Sequence, residues 1–180
     1  MLQLAIPPSN YWNEELEEFV TTKGAVLQLE HSLISLSKWE SKWKKPFLVA
    51  KAHTEEETID YVRCMTLTQN VDPLVYYSLR SEHIDQVSAY IDDPMTATTI
   101  QDRKPGRNKP EVVTSELIYY WMVAHQIPFE CQKWHLNRLL TLIRVCNIKN
   151  APPEKMGRRE TLAHNRQLNA SRLAARGTRG

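Results

Sequence analysis

Glycine is scarce in this chain, with 5 residues in 180. Loops that cradle phosphate and runs of tight turns both draw on glycine's backbone freedom, so the shortage disfavours a nucleotide-binding α/β enzyme. Cysteine is scarcer still: Cys64, Cys131 and Cys146. An odd set without CxxC spacing fits neither a disulfide framework nor a zinc cluster. Each lies in an apolar-periodic segment, where a free thiol behaves as a small hydrophobe. No uncharged apolar stretch approaches the roughly 20 residues that span a bilayer. The opening MLQLAIPPSN has neither the basic start nor the continuous apolar run of a signal peptide. These absences lead us to expect a soluble, cytosolic protein that does not engage a membrane.

What the chain does have is a split of charge. Its net charge is +2. From Lys149 onward, eight basic residues stand against Glu154 and Glu160, a surplus of six. The preceding residues then hold 15 basic against 19 acidic, a net of −4. A mildly acidic body carries a strongly basic end, which points to an end that meets a partner. Pro152-Pro153 marks the joint, so residues 1–150 are read as a globular body and 151–180 as a basic arm.

The expected fold class is mainly α (α+β): a compact helical body with a small N-terminal antiparallel β element and a basic C-terminal helix or tail. Leu2, Leu4 and Ile6 alternate as in a strand, and so do Ala25, Leu27 and Leu29 within 24–31. These two segments are expected to pair across an acidic, exposed connection at 9–23. Ser32 caps a helix carrying Leu36, Trp39 and Trp43 that Pro46 stops. Thr54 and Glu57 have the spacing of a capping box. Asp72-Pro73 opens a short helix over 73–80. Ser81 begins another, with Ile84, Val87 and Ile91 inward. MTATTI at 95–100 has strand composition, and the charged stretch that follows reads as a surface loop. Thr114 caps a helix with Leu117, Trp121 and Ala124 inward and Ile118 and Met122 flanking. A helix over 129–148 is expected to form an antiparallel hairpin with it. Leu36, Trp39, Trp43, Leu117, Trp121, Trp134, Leu140 and Ile143 are expected in one core.

Chemistry-bearing constellations are thin. Cys131 and His135 are four apart on an expected helix, within reach of one metal ion or of each other. Two ligands do not make a metal site, and no orienting acid is readable. We therefore expect no catalytic residue, no metal and no cofactor. Trp39 and Trp43, interleaved with Lys38, Lys42, Lys44 and Lys45, could stack on single-stranded nucleic acid. The spacing of four favours two buried rings with solvated lysines between them. In the arm, Arg158, Arg159, Arg166, Arg172 and Arg176 would supply charge, and Leu162, Leu168 and Leu173 a thin apolar seam. A helix from about Arg158 to Ala175 ending at Gly177 suits its composition, ordered mainly when bound. The arm has three readings: docking on an acidic protein groove, which ranks first, a nucleic-acid arm, and a plain solubilising end.

The segments LQLEHSLISLSKWESKWKKPFL (27–48), ETIDYVRCMTL (57–67), PMTATTI (94–100), ELIYYWM (116–122) and IPFECQKWHLNRLLTLIRVCNIKNAPPEKM (127–156) resemble a family of small proteins encoded in tailed-phage genomes and prophages. Members sit in the tail gene cluster and are taken to be tail assembly chaperones of long-tailed phages. The resemblance covers roughly 27–180. It implies a non-enzymatic protein that coats or delivers the tape-measure protein while tail tubes polymerise, in the cytoplasm of the bacterial host. Genes of this family often make a longer product by programmed frameshifting. The partners so implied are phage tail proteins, the tape-measure protein first, with self-association also open. A virion structural role in the head–tail connector, neck or tail is the alternative, followed by a phage nucleic-acid-binding protein and, last, a small cysteine-dependent enzyme.

Overall fold

Alternation of side chains along the N-terminal strands decides where the first layer of the body is built. In the computed structural model, which describes residues 1–13, 17–49, 53–100, 112–151 and 158–177, β1 (Leu2–Ile6) pairs antiparallel with β4 (Ala25–Leu29), Leu4 opposite Leu27. Leu4, Ile6, Leu27 and Leu29 are buried, while Gln3, Ala5, Val26 and Gln28 face outward. This period of two is what seats the sheet on the body. The expected pairing of the two segments is therefore present. The connection between them is not plain loop. β2 (Ser9–Asn13) and β3 (Glu18–Thr22) form a second antiparallel pair, Ser9 opposite Thr22. Its base is anchored by hydroxyls: Ser9 Oγ, Thr22 Oγ1 and Ser78 Oγ lie 2.7–3.0 Å from one another. Gly24 sits where a Cβ would come within 2.8 Å of Pro8 Cδ and 2.9 Å of the Ile6 carbonyl oxygen, so only glycine lets the turn into β4 close.

The helices start where local chemistry places them. α1 (Leu33–Trp43) is capped by Ser32, whose Oγ accepts the Ser35 N–H at 3.3 Å while Ser35 Oγ accepts the Ser32 N–H at 2.9 Å. It ends on Lys44 in the left-handed region, before Pro46. α2 (Glu55–Met65) carries the Thr54–Glu57 box with bonds of 3.2 and 3.0 Å. Asp72 caps a 3-10 turn over Pro73–Ser78. α3 (Ser81–Asp92) follows, burying His83, Val87 and Tyr90, with Ile84 and Ile91 only partly covered. Thr114 caps α4 (Ser115–Ala124), although its inner face is Ile118 and Met122; Leu117 and Trp121 are half-buried and Ala124 is exposed. A 3-10 turn over Phe129–Lys133 precedes α5 (Leu136–Asn150), and α6 spans Arg158–Arg176. The fold is mainly α with small antiparallel β elements near the N-terminus. No helix among the described residues is long and apolar enough to cross a membrane.

Besides the inner face of α4, three expectations need correction. MTATTI at 95–100 is not a strand. Its entry is set by side chains instead: Asp93 Oδ1 accepts the Met95 N–H at 2.8 Å, and Asn137 Nδ2 donates to the Ile91 and Asp93 carbonyls at 2.8 Å each. The charged loop at 101–111 lies outside the described residues. The helix expected over 129–148 is broken at Trp134 and His135. There the chain bridges to Ser32, and the Leu136 N–H donates to the His31 carbonyl at 2.7 Å, a partner a hundred residues upstream. Lastly, the core is two clusters rather than one. The first joins Leu4, Ile6, Leu27, Leu29, Trp39, Tyr61, Val62, Met65, Val75 and Val87, with Trp43 partly buried against it. The second joins Leu33, Leu36, Ile118, Met122, Leu136, Leu139 and Ile143, with Trp121, Trp134 and Leu140 at its margin. Leu117 belongs to neither cluster.

Met1–Cys146 form one compact unit and Asn147–Gly180 a second.

Candidate functional site

The arm holds every partner-binding candidate read from the sequence, and all of them lie on α6. The helix ends as its composition predicts, with Gly177 at φ 64° and its N–H donating to the Ala174 carbonyl at 3.4 Å. Leu162, Leu168 and Leu173 are 52%, 38% and 48% exposed, and Arg166 and Arg172 are exposed. At about 100° per residue, helix geometry sorts these positions. Arg158, Arg159, Arg166, Arg172 and Arg176 fall within an arc of about 140°. Leu162 and Leu173, eleven apart, share the middle of that arc. Leu168 is turned more than about 100° away from both, so the three leucines do not form one seam. Glu160 lies opposite the arc.

On the body, Trp39, Trp43, Lys42 and Lys45 are committed to internal partners. Trp39 is fully buried and donates its Nε1–H to the Glu57 carbonyl at 2.9 Å. Trp43, stacked on Trp39 with centroids 6.0 Å apart, donates to Asp60 Oδ2 at 2.9 Å. Lys42 pairs with Asp60 Oδ1, and Lys45 pairs with Glu57 Oε1 at 2.6 Å. The bond from Lys45, with the Thr54 N–H behind it, holds the Glu57 carboxyl below its usual range. Rings and lysines that satisfy one another in this way do not make an open stacking platform.

A line of rings continues inward. Trp39 meets Phe47 edge-on at 5.0 Å, Phe47 stacks on Tyr61 at 4.0 Å, and Tyr61 Oη pairs with His31 Nδ1 at 2.6 Å. His31 meets His135 at 5.2 Å, and His135 meets Tyr90 at 4.9 Å. Burial, reinforced by the neighbouring His135, pushes His31 down to about 3, so its ring is neutral. His135 Nδ1 accepts the Asn137 N–H at 3.3 Å, which leaves Nε2–H to donate to the Tyr90 carbonyl at 3.0 Å. Tyr90 Oη donates to Glu30 at 2.7 Å, and burial together with that carboxylate pushes the phenol up. His135 is therefore engaged by backbone. Cys131 lies on the 3-10 turn before the break, so the two do not share a helical face. Among the described residues no group of three or more histidine, cysteine or acidic side chains could hold a metal ion.

Arg63 marks an open cleft of about 510 Å3 between α1, α2 and the Pro73–Ser78 turn, with Lys42, Ile59, Asp60 and Tyr77 among its walls. Its guanidinium lies 5.0 Å from the Tyr76 ring centroid and 5.5 Å from that of Tyr77. Its Nε is buried without a hydrogen-bond partner.

No family model, curated protein or solved structure matches the chain.

Sequence reading missed the buried histidine pair, the Arg63 cleft and the Glu40 carboxylate, which accepts the Ser115 and Phe47 N–H groups. Each depends on residues far apart in the chain. The one local signal was α3's period, in which His83 and Tyr90 lie seven apart and share a face with Val87.

Proposed function

We propose that this protein is a non-enzymatic tail assembly chaperone of a tailed phage, binding the tape-measure protein during tail-tube assembly in the host cytoplasm. One observation supports the reading most. α6 exposes Leu162, Leu168 and Leu173 together with Arg166 and Arg172, an arrangement suited to a partner that is both apolar and acidic. The body supplies a folded platform in which Lys42–Asp60, Lys45–Glu57, His31–Tyr61 and Tyr90–Glu30 are structural pairs. The test is a pull-down of the tape-measure protein encoded by the same phage, with the full chain and with a chain lacking 154–180. The full chain should retain it and the shortened one should lose it. Retention at full strength by the shortened chain would remove the arm from the interaction.

One observation favours a virion structural role as the second reading. Tyr120 and Val123, three apart on α4, are 66% and 60% exposed. An apolar surface of this kind suits a lasting neighbour. Purified virions decide between the two readings: a chaperone should be absent from them, and a connector or tail component present at a fixed symmetric copy number.

A further inference from the structure

We infer that α6 docks through one face only, the arc centred on Leu162 and Leu173, onto a protein surface in which an apolar groove is rimmed by carboxylates. The inference rests on reading the arm as the partner-binding element and names which side of it binds and what chemistry it meets. Helix geometry places the five arginine positions in two rows. Arg158, Arg172 and Arg176 lie on one side of the leucines and Arg159 and Arg166 on the other. Asn165 and Asn169 fill the remaining arc, and no acidic residue enters it. The opposite side carries Glu160, Gln167 and Ser171.

Two features choose protein over nucleic acid. The centre of the arc is leucine, about half exposed at both positions, and a phosphate backbone offers nothing for it to bury against. The flanks are arginine without lysine, and a guanidinium fork matches a carboxylate as well as it matches a phosphate. A leucine row between two arginine rows is the complement of an acidic amphipathic helix or helical groove.

The test uses the full chain and a synthetic helical peptide of about 20 residues, with a leucine row flanked by glutamates, followed by fluorescence anisotropy. Asn165→Glu with Asn169→Glu sets two carboxylates in the arc. Gln167→Glu with Ser171→Glu adds the same charge at the same spacing on the opposite side. All four positions are exposed, so neither pair disturbs a packed contact. The first pair should weaken peptide binding about tenfold or more, and the second less than about twofold. Leu162→Ala with Leu173→Ala should also weaken it about tenfold, and the loss should persist as salt is raised to about 0.5 M. Equal losses from the two glutamate pairs would overturn the inference, because net charge alone would then govern binding. So would a nucleic-acid duplex that binds more tightly than the peptide, with affinity falling linearly against salt on logarithmic axes. The same variants separate this inference from the chaperone reading. If the tape-measure protein is lost on deleting 154–180 yet kept equally by both glutamate pairs, only the docking face is wrong. If the peptide binds face-specifically and the tape-measure protein does not bind at all, the chaperone reading fails and the face stands.

Discussion

Glu40 Oε2 accepts the backbone N–H of Ser115 at 2.7 Å, joining residues 75 apart in the chain. Its other oxygen accepts the Phe47 N–H at 3.0 Å. A buried carboxylate on α1 thus serves the first residue of α4 and the turn after Pro46 at once, and the positive end of α4 favours it. Glu40→Ala would leave two N–H groups unsatisfied, and should lower stability by about 2–4 kcal/mol in urea unfolding. Glu40→Gln keeps one good acceptor and should cost less than half as much. Equal midpoints for wild type and Glu40→Ala would refute the assignment.

Leu139 and Leu140 are neighbours with different fates. Leu139 is fully buried in the second cluster, and Leu140 lies at its margin. Leu139→Ala should cost about 2–5 kcal/mol and Leu140→Ala clearly less. Trp39→Ala should fall at the upper end of that range, since it also removes the indole N–H that the Glu57 carbonyl accepts. A ranking with Leu140 above Leu139 in denaturant midpoints would contradict the packing.

At Gly24 the obstacle is space. Gly24→Ala should destabilise by about 1–3 kcal/mol, because the new methyl meets backbone and a proline ring rather than a side chain that can swing away. Gly177→Ala meets nothing within 4 Å. Its cost is conformational, about 1 kcal/mol, and should appear as fraying of α6 in circular dichroism with the body unchanged.

His31 gives the stability a pH slope. The unfolded chain takes up this proton near 6.5, and the folded chain only near 3. The contribution is complete above about pH 6.5 and is lost as pH falls through the window between these values. The limiting slope is about 1.4 kcal/mol per pH unit. Urea midpoints measured between about pH 7 and pH 5 should decline, and His31→Asn should flatten the decline. Glu57, held low by Lys45, acts in the same direction at more acid pH, below the ordinary carboxylate value. A variant as steep as wild type above pH 5 would show that another group carries the slope.

Features governed by neighbours in sequence were legible. Ser32, Thr54, Asp72 and Thr114 each cap the element expected of them, because a cap is decided within three residues. The alternation of β1 and β4 was enough to pair them. What failed depended on distant partners. The 129–148 periodicity is helical throughout, yet the His31 carbonyl captures the Leu136 N–H and the helix restarts there. The polar stretch 9–22 lacks clean alternation, and its hairpin base is held by Ser78, far along the chain. Ile118 and Met122 displaced Trp121 from the inner face of α4, since that helix is apolar nearly all round and its own pattern does not choose a side. For the arm, the residues were legible, and leucine spacings of six and five already spoke against a clean helical stripe; helix geometry sets Leu168 apart from Leu162 and Leu173.

Within α1, Leu36 belongs to one cluster and Trp39 to the other, three residues apart on one short helix. Neither half of the body can finish closing without that helix, and the second half also waits for Ile143. During synthesis the strands and α2 emerge first and can gather around Trp39, while Leu36 stays uncovered until α4 and α5 arrive. The amide protons of α1 should then exchange only in the same rare event that opens the whole body, and a chain stopped before residue 136 should expose a sticky surface rather than a smaller native protein.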